Sequence, residues 1–199
     1  MTVSQIILVL SGYFSGAVPY GYLLTKRFTG LNILEQGSGN IGSTKVGRIA
    51  GKKIGLLVQA LDMLKGLLPV AIVLLLKESN PLIYPDYFPL LVALSTVLGH
   101  NFSLFLSFRG GKGVNTTLGA TILLAPLAVL SSVVAYFLVK WRLKFVSAGS
   151  MALAVALPLG GWLFRPAPLL ELYLFVCCCL ILIRHLSNLK RLLEGKELH

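Results

Sequence analysis

The sequence predicts an all-α integral membrane protein, a single polytopic domain over residues 1–199 with about seven transmembrane helices. Hydrophobic residues make up 56% of the chain and charged residues only 13%, which departs strongly from the composition of soluble domains. Several apolar runs approach or exceed the roughly 20 residues that cross a bilayer. The Lys and Arg residues cluster in a few polar segments, as in the cytoplasmic loops of membrane proteins.

Three apolar segments in the first half of the chain predict transmembrane helices. The first covers residues 5–24, and its lack of a basic start and of an A-x-A cleavage site indicates a retained helix rather than a signal peptide. The second and third cover residues 54–76 and 87–105. A loop with two prolines, residues 77–86, separates them.

In the second half, residues 118–139 are long enough for one span, but Pro126 lies near their middle and basic residues flank both ends. Proline interrupts a helix, and both flanks favour the cytoplasm. We therefore predict a hairpin of two short helices that turns near Pro126. Two further helices are predicted at residues 148–164 and 169–183.

With this topology, the Lys and Arg residues lie on one side of the membrane, except Lys65, Lys77 and Arg165. The N-terminus is then outside, and the net charge of +11 needs no nucleic-acid partner to explain it. Adjacent cysteines at 177–179 have the spacing of neither a disulfide framework nor a metal site. The polar segments that face the cytoplasm and contain the candidate active-site residues are 29–53, 106–117, 140–150 and 184–199.

The first glycine-rich segment, GSGNIGSTKVGR at residues 37–48, combines small residues with hydroxyl, amide and cationic side chains. Its glycines allow backbone N–H groups to approach an anion, and Lys45 and Arg48 add charge. The segment fits a phosphate cradle, and it equally fits a flexible loop at the membrane surface. The candidate phosphate ligands are Ser38, Gly39, Asn40, Thr44 and Arg48.

The second glycine-rich segment, RGGKG at residues 109–113, repeats this composition at the end of the third helix. The residues after it begin a helix, whose N-terminus attracts anions. Gly110, Gly111 and Lys112 are therefore predicted to bind phosphate, with a basic surface loop as the alternative. Neither segment has the spacing of a Walker A loop.

His100 and His185 are the candidates for acid–base chemistry. His100 precedes the second glycine-rich segment, and His185 shares a helical face with Asn188 because they are three residues apart. Each histidine fits a catalytic role or a structural hydrogen bond.

Three polar residues lie within or at the ends of predicted helices. Asp62 and Lys65 are three residues apart in the second helix, which fits either a functional site or a structural ion pair. Ser147 precedes the sixth helix on the cytoplasmic side, where helix packing is the alternative to a substrate contact.

Four stretches resemble motifs of the bacterial acyl-phosphate-dependent glycerol-3-phosphate acyltransferases. Residues 38–48 (SGNIGSTKVGR) resemble SGNxGxTNxxR, and residues 99–114 (GHNFSLFLSFRGGKGV) resemble GHxFPxFxxFKGGKxV. Residues 184–197 (RHLSNLKRLLEGKE) resemble RHxxNxxRLLxGxE, and residues 144–150 (KFVSAGS) are similar to RYVSLxS. Departures from these motifs occur at Lys45, Ser103, Arg109 and Asn115, where Asn, Pro, Lys and a small residue are common.

The resemblance implies transfer of a fatty acyl group from acyl phosphate to the 1-hydroxyl of sn-glycerol 3-phosphate, giving lysophosphatidic acid and phosphate. This is the first acylation of bacterial phospholipid synthesis. It implies no metal and no organic cofactor, a place in the bacterial cytoplasmic (inner) membrane, and a functional link to the enzyme that makes acyl phosphate. The residues expected to hold phosphate or to orient substrate oxygens are Ser38, Asn40, Thr44, Arg48, Gly110, Gly111, Lys112, Ser147, His185 and Asn188.

Two kinds of proton acceptor fit these residues. The phosphate oxygens of the donor are expected to take the proton of the glycerol hydroxyl, and His100 or His185 is the alternative base. Together with Lys112 and Asn188, the two histidines make up the predicted catalytic set.

A different class of function is a small transporter for phosphorylated metabolites. Asp62 and Lys65 inside a span, and the break at Pro126, would suit such a protein. The clustering of polar residues at one membrane face argues against it.

Overall fold

The computed structural model describes residues 1–37 and 39–197. In these residues the chain forms ten α-helices and two short 3-10 turns, and no strand. The predicted all-α fold is therefore confirmed. Contacts between residues group the chain into two compact units, residues 1–123 and 124–199.

The first unit contains six helices: α1 (Val3–Ala17), α2 (Tyr20–Thr29), α3 (Ser43–Ala50), α4 (Lys52–Ser79), α5 (Phe88–Asn101) and α6 (Val114–Thr121). Its 3-10 turns are Ile33–Glu35 and Leu104–Leu106. The second unit contains four helices: α7 (Pro126–Leu143), α8 (Val146–Phe164), α9 (Pro168–Arg184) and α10 (Leu186–Leu193).

Five stretches of the described chain are long and apolar enough to cross a membrane. They are α1 joined to α2, α4, α5 extended through Leu106, α7 and α8. A sixth is present if α9 and α10, which meet at an angle of 53°, count as one span. The predicted number of about seven is thus approximate, mainly because α6 has only eight residues and is about 12 Å long.

The chain breaks before Pro126, as predicted, but the two helices around the break are unequal. Residues 116–121 of α6 are all buried, so this short helix is shielded by its neighbours. In contrast, α7 continues for 18 residues and is longer than predicted. Proline explains the break because it lacks a backbone N–H and fits the first turn of a helix.

Glycines set the close helix crossings of the first unit. At Gly16 and Gly99, a Cβ atom would collide with the backbone of Thr96 and Tyr13, so α1 and α5 lie in direct contact. A Cβ at Gly66 of α4 would likewise collide with the backbone of Thr116 in α6. Small residues allow membrane helices to approach in this way. These crossings fix α5 and α6, the two helices that flank the second glycine-rich segment.

Helix α3 lies within the polar segment that the sequence predicts as a loop. It buries Val46 in an apolar cluster with Ile33. A Cβ on Gly55 of α4 would lie 2.8 Å from the Cα of Gly47, so the two helices pack closely through glycine. Packing of this kind stabilises a helix of only eight residues, which would be marginal alone.

In the second unit, glycines of α8 face both neighbouring helices. Gly149 packs on Tyr136 of α7, and Gly161 packs on the Leu174 side chain of α9. Arg165, just after α8, donates to the carbonyl of Leu124 at 2.6 Å. Gly149 lies in the first turn of α8, beside Ser147, a predicted site residue of this unit.

Candidate active site

The first glycine-rich segment forms a defined turn before α3. Gly37 and Gly39 have φ angles of +43° and +65°, in the left-handed region that glycine adopts readily. The side-chain oxygen of Asn40 accepts the N–H of Gly42 at 2.7 Å, which closes an Asx turn directly before the helix. Ser38 lies outside the described residues.

Lys45 holds this turn from within. Its ammonium group donates to the carbonyl of Ile33 at 2.9 Å and to the carbonyl of Gln36. The Gln36 carbonyl also accepts the N–H of Gly39 at 3.0 Å. Burial lowers the pKa of Lys45 below its ordinary value. The ammonium group of Lys45, which the sequence predicts as part of the anion cradle, therefore binds backbone carbonyls and shapes the loop.

Thr44 and Arg48 lie one helical turn apart on α3, and both are exposed. Thr44 is in the first turn, while Arg48 is in the last turn, where a cation interacts favourably with the helix dipole. Their exposure makes both accessible to a soluble anion.

The second glycine-rich segment folds back onto the end of α5. Gly111 donates its N–H to the carbonyl of His100 at 3.0 Å. A Cβ at Gly110 would collide with this carbonyl, and a Cβ at Gly111 would collide with the imidazole ring. Gly113 has a φ of +83°, and a Cβ there would lie 2.7 Å from the Asn101 side-chain oxygen. Three glycines are therefore required for the loop to pack on these two residues.

The two glycine-rich segments meet at the N-termini of α3 and α6. The amide nitrogen of Asn115, in the first turn of α6, donates to the hydroxyl of Ser43, the first residue of α3, at 3.2 Å. Within the described residues, a side chain caps neither N-terminus. Two adjacent helix N-termini, with the half-buried Lys112 just before one of them, create positive potential suited to phosphate.

His100 is buried behind the second loop, with 4% of its surface exposed. Its Nδ1 lies 3.7 Å from Oδ1 of Asp62. Asp62 forms an ion pair with Lys65 at 2.8 Å, and Lys65 also donates to the carbonyl of Val18 at 2.9 Å. Mutual pairing reduces the cost of burying these two charges in a membrane-spanning helix.

In the second unit, His185 and Asn188 lie where α9 meets α10. His185 is 2% exposed, and its Nδ1 donates to the carbonyl of Ile181 at 2.8 Å, since a carbonyl oxygen can only accept. The lone pair of the neutral ring is therefore on Nε2. The amide nitrogen of Asn188 donates to Glu197 at 2.5 Å, and Nε of Arg191 donates to the other oxygen of Glu197 at 2.7 Å.

Glu197 is a member of this cluster to which sequence analysis assigns no role, although it lies within the third motif. Burial raises its pKa, but the hydrogen bond from Asn188 and the guanidinium of Arg191 outweigh this effect, so the net pKa is below its ordinary value. The ionised carboxylate accepts a hydrogen bond from the amide nitrogen of Asn188, which fixes the orientation of that amide. Ser147 is buried in the first turn of α8.

Within residues 1–37 and 39–197, no group of three or more His, Cys, Asp or Glu side chains is arranged to hold a metal ion. The two carboxylates near the candidate residues bind cations of the protein, Asp62 with Lys65 and Glu197 with Arg191. The candidate site residues are thus backbone amides, cations and neutral polar groups, a set that suits anions.

Two kinds of sequence comparison agree with each other. The sequence profile of the family described as glycerol-3-phosphate acyltransferase matches residues 6–195. A glycerol-3-phosphate acyltransferase of Clostridium acetobutylicum is 40% identical over 193 residues, which cover 96% of this chain and 98% of the relative. One from Syntrophotalea carbinolica is 38% identical over 191 residues, with 96% and 95% covered.

Solved structures give the same result. The crystal structure of PlsY (YgiH), an integral membrane glycerol 3-phosphate acyltransferase, in its glycerol 3-phosphate form has a TM-score of 0.90 and 32% identity, covering 98% of this chain and 95% of that chain. The lysophosphatidic acid form has a TM-score of 0.87 with the same identity and coverage. The likeness confirms the predicted class of an all-α integral membrane protein.

Proposed function

The chain belongs to the glycerol-3-phosphate acyltransferase family, and on this premise we propose that it transfers a fatty acyl group from acyl phosphate to the 1-hydroxyl of sn-glycerol 3-phosphate. The products are lysophosphatidic acid and phosphate. The solved relative, which has a glycerol 3-phosphate form and a lysophosphatidic acid form, supports this acceptor and this product. The choice of acyl phosphate as donor rests on the motifs in the sequence.

One observation of this structure carries the proposal: the hydrogen bond between Asn115 and Ser43. It brings together two glycine-rich turns and two helix N-termini, each suited to an anion. Both proposed substrates carry a phosphate group, so two adjacent anion sites match them. Arg48 and Lys112 supply the charge, and the first turn of α6 supplies N–H donors, since the N–H of Gly111 is already donated to the carbonyl of His100.

The reaction itself requires little from the protein beyond placement. The hydroxyl oxygen of glycerol 3-phosphate attacks the acyl carbon, the bond from this carbon to the phosphate oxygen breaks, and phosphate leaves. Since phosphate is a good leaving group, holding the two substrates together and stabilising the developing negative charge supply most of the acceleration. Lys112, Ser147 and Asn188 are proposed to orient substrate oxygens.

We propose that the departing phosphate accepts the proton of the attacking hydroxyl. The ring of His100 lies against Gly111 of the second loop, which supports a role other than direct contact with substrate. His185 uses Nδ1 to bind the Ile181 carbonyl, which fixes the orientation of its ring. In this proposal its Nε2 orients a substrate group, and general base catalysis by Nε2 is the alternative.

The proposed location is the bacterial inner membrane, with the glycine-rich loops and the C-terminus in the cytoplasm. The distribution of Lys and Arg supports this orientation. Glycerol 3-phosphate then enters from water, while the acyl chain of the donor remains in the bilayer. A functional link to the enzyme that makes acyl phosphate follows from the choice of donor.

The test is release of phosphate from purified protein given palmitoyl phosphate and glycerol 3-phosphate. We expect release that requires both substrates and falls about 100-fold in Lys112→Ala, because a charge-stabilising donor is lost. Lys53→Ala is the matched control, since it removes an equal charge from an exposed position on α4 and should change the rate less than about twofold.

Absence of release in both detergent and lipid would contradict the proposal. Uptake of labelled glycerol 3-phosphate by liposomes, measured without acyl donor, would in that case indicate the transporter. A rate in Lys112→Ala equal to that of Lys53→Ala would remove the second loop from the site while leaving the reaction itself in place.

A further inference from the structure

We propose that Asp62, Lys65 and His100 form a positioning cluster that fixes the second phosphate loop, and that His100 acts through Gly111 rather than as a base. The inference rests on the proposed function, because it concerns the placement of a loop that binds substrate phosphate. It assigns a role to an ion pair that neither the motifs nor the comparisons explain.

The position of the pair indicates more than local neutralisation. Asp62 and Lys65 are 3% and 4% exposed within α4, a helix that is long and apolar enough to cross the membrane. Ionisable groups at such positions are costly. The pair satisfies itself at 2.8 Å, yet each member also reaches a different element of the first unit.

Lys65 anchors the cluster to the junction of α1 and α2. Its ammonium group donates to the carbonyl of Val18 at 2.9 Å and lies 5.7 Å from the centre of the Tyr20 ring. In return, the hydroxyl of Ser15 donates to the carbonyl of Lys65 at 3.0 Å. Together, these three contacts hold α4 against the junction.

Asp62 extends the cluster toward the loop. Its Oδ1 lies 3.7 Å from Nδ1 of His100, beyond hydrogen-bond distance, so the carboxylate packs beside the imidazole ring. The other side of the ring occupies the space that a side chain on Gly111 would need, and the carbonyl of His100 accepts the N–H of Gly111. A change in the ring orientation must therefore move the loop backbone just before Lys112.

The cluster thus contacts the loop through the ring and the carbonyl of His100. Gly66, one turn after Asp62, packs on the backbone of Thr116 in α6, the helix that follows the loop. Helix α4 therefore supports the loop through His100 and supports α6 directly. We attribute the presence of charged residues at positions 62 and 65 of α4 to this double support.

The decisive variant replaces both charges, Asp62→Leu with Lys65→Met. Exchange of a buried ion pair for apolar residues of similar volume is often neutral or stabilising, so the protein should retain its melting temperature. If the cluster positions the loop, KM for a phosphate substrate rises about tenfold while kcat changes little. A merely structural pair would leave KM unaltered.

A double-mutant cycle tests whether His100 acts through the loop. His100→Phe retains the ring volume without the nitrogens, and it is combined with Lys112→Ala. We expect His100→Phe to raise KM about tenfold in the parent protein and less than threefold in the Lys112→Ala background, because residues that share one contact are not additive. Thr96→Val is the matched control, a fully buried site one turn earlier on α5, and should show no coupling.

Three results would overturn the inference: unaltered KM in the apolar double variant, additive effects in the cycle, or a kcat collapse at constant KM in His100→Phe, which identifies a base. Binding of glycerol 3-phosphate without acyl donor gives the same comparison independently of turnover. A parent protein that binds but does not release phosphate contradicts the proposed reaction. Weaker binding by the apolar double variant would still support the cluster.

Discussion

Replacement of Lys45 by methionine tests whether the first phosphate loop is shaped by an internal cation. The substitution retains the length and most of the apolar stem of the side chain but removes the ammonium group. Two hydrogen bonds are lost, one to the carbonyl of Ile33 and one to the carbonyl of Gln36. The carbonyl of Gln36 then accepts hydrogen bonds only from the N–H of Gly39 and from water.

The expected magnitude follows from the surroundings of the two bonds. The bond to Ile33 is partly buried, whereas the bond to Gln36 is exposed and contributes little. Hydrogen bonds from a charged donor contribute roughly 1.5–3 kcal/mol, so the pair should stabilise the closed loop by about 2 kcal/mol. This corresponds to a change of about 30-fold in the equilibrium between closed and open loop.

The assay is hydrogen exchange of the peptide that contains Gly39, with Lys53→Met as the control of equal charge. We expect exchange to accelerate about 30-fold in Lys45→Met and to stay unchanged in the control. The KM for glycerol 3-phosphate should rise in parallel. Exchange within about twofold of the parent rate would refute the reasoning, because the ammonium group would then contribute nothing to the loop.

Four further predictions follow. Gly111→Ala places a Cβ in the ring of His100, so phosphate release should fall at least tenfold, since overpacking costs about 1–3 kcal/mol; near-parent activity would show that the loop is loose. Asn115→Ala removes the bond between the two loops, and KM should rise about fivefold, whereas an unchanged KM would mean that the loops hold their places independently. Glu197→Gln should lower the melting temperature at pH 7. The folded pKa of Glu197 lies below the ordinary value of 4.5, so its stabilisation is present above pH 4.5 and is lost as the pH falls through the folded pKa. The difference in melting temperature from the parent should therefore vanish in acid. His185→Gln should retain measurable phosphate release, and complete loss with intact binding of both substrates would identify His185 as the base.

The long helices could be predicted because apolar length alone determines them. The sequence predicts helices over residues 54–76 and 148–164, and the structure has helices at Lys52–Ser79 and Val146–Phe164. The differences lie at helix ends, where polar residues continue the hydrogen-bonding pattern beyond the apolar run. Helix-terminal lysines such as Lys52 extend into the interface without cost, since their charged ends reach water.

The short helices depend on partners that the sequence does not place. Helix α3 forms because Gly47 meets Gly55 and Val46 reaches a buried cluster, and neither contact can be inferred from local periodicity. The break between α1 and α2 follows from Pro19, which the apolar run of residues 5–24 hides.

For the candidate site, the sequence predicts the two glycine-rich loops but not the residues that hold them in place. The glycines with lysine and arginine predict two loops that suit an anion, and that assignment remains a prediction. The carbonyl partners of Lys45, and the carboxylate of Glu197 against Asn188, arise from tertiary folding over distances that no motif specifies.

The arrangement of Asp62 and Lys65 also bears on how the protein enters the membrane. A single charged residue at the centre of a helix costs roughly 2.5–3.5 kcal/mol during insertion. Because the two residues lie three apart on one helix, they can neutralise each other before α5 and α6, which follow α4 in the chain, have been synthesised. An ion pair divided between two helices would expose each charge to lipid until its partner arrived. Helix α4 can therefore be inserted on its own during translation, with its charges already paired.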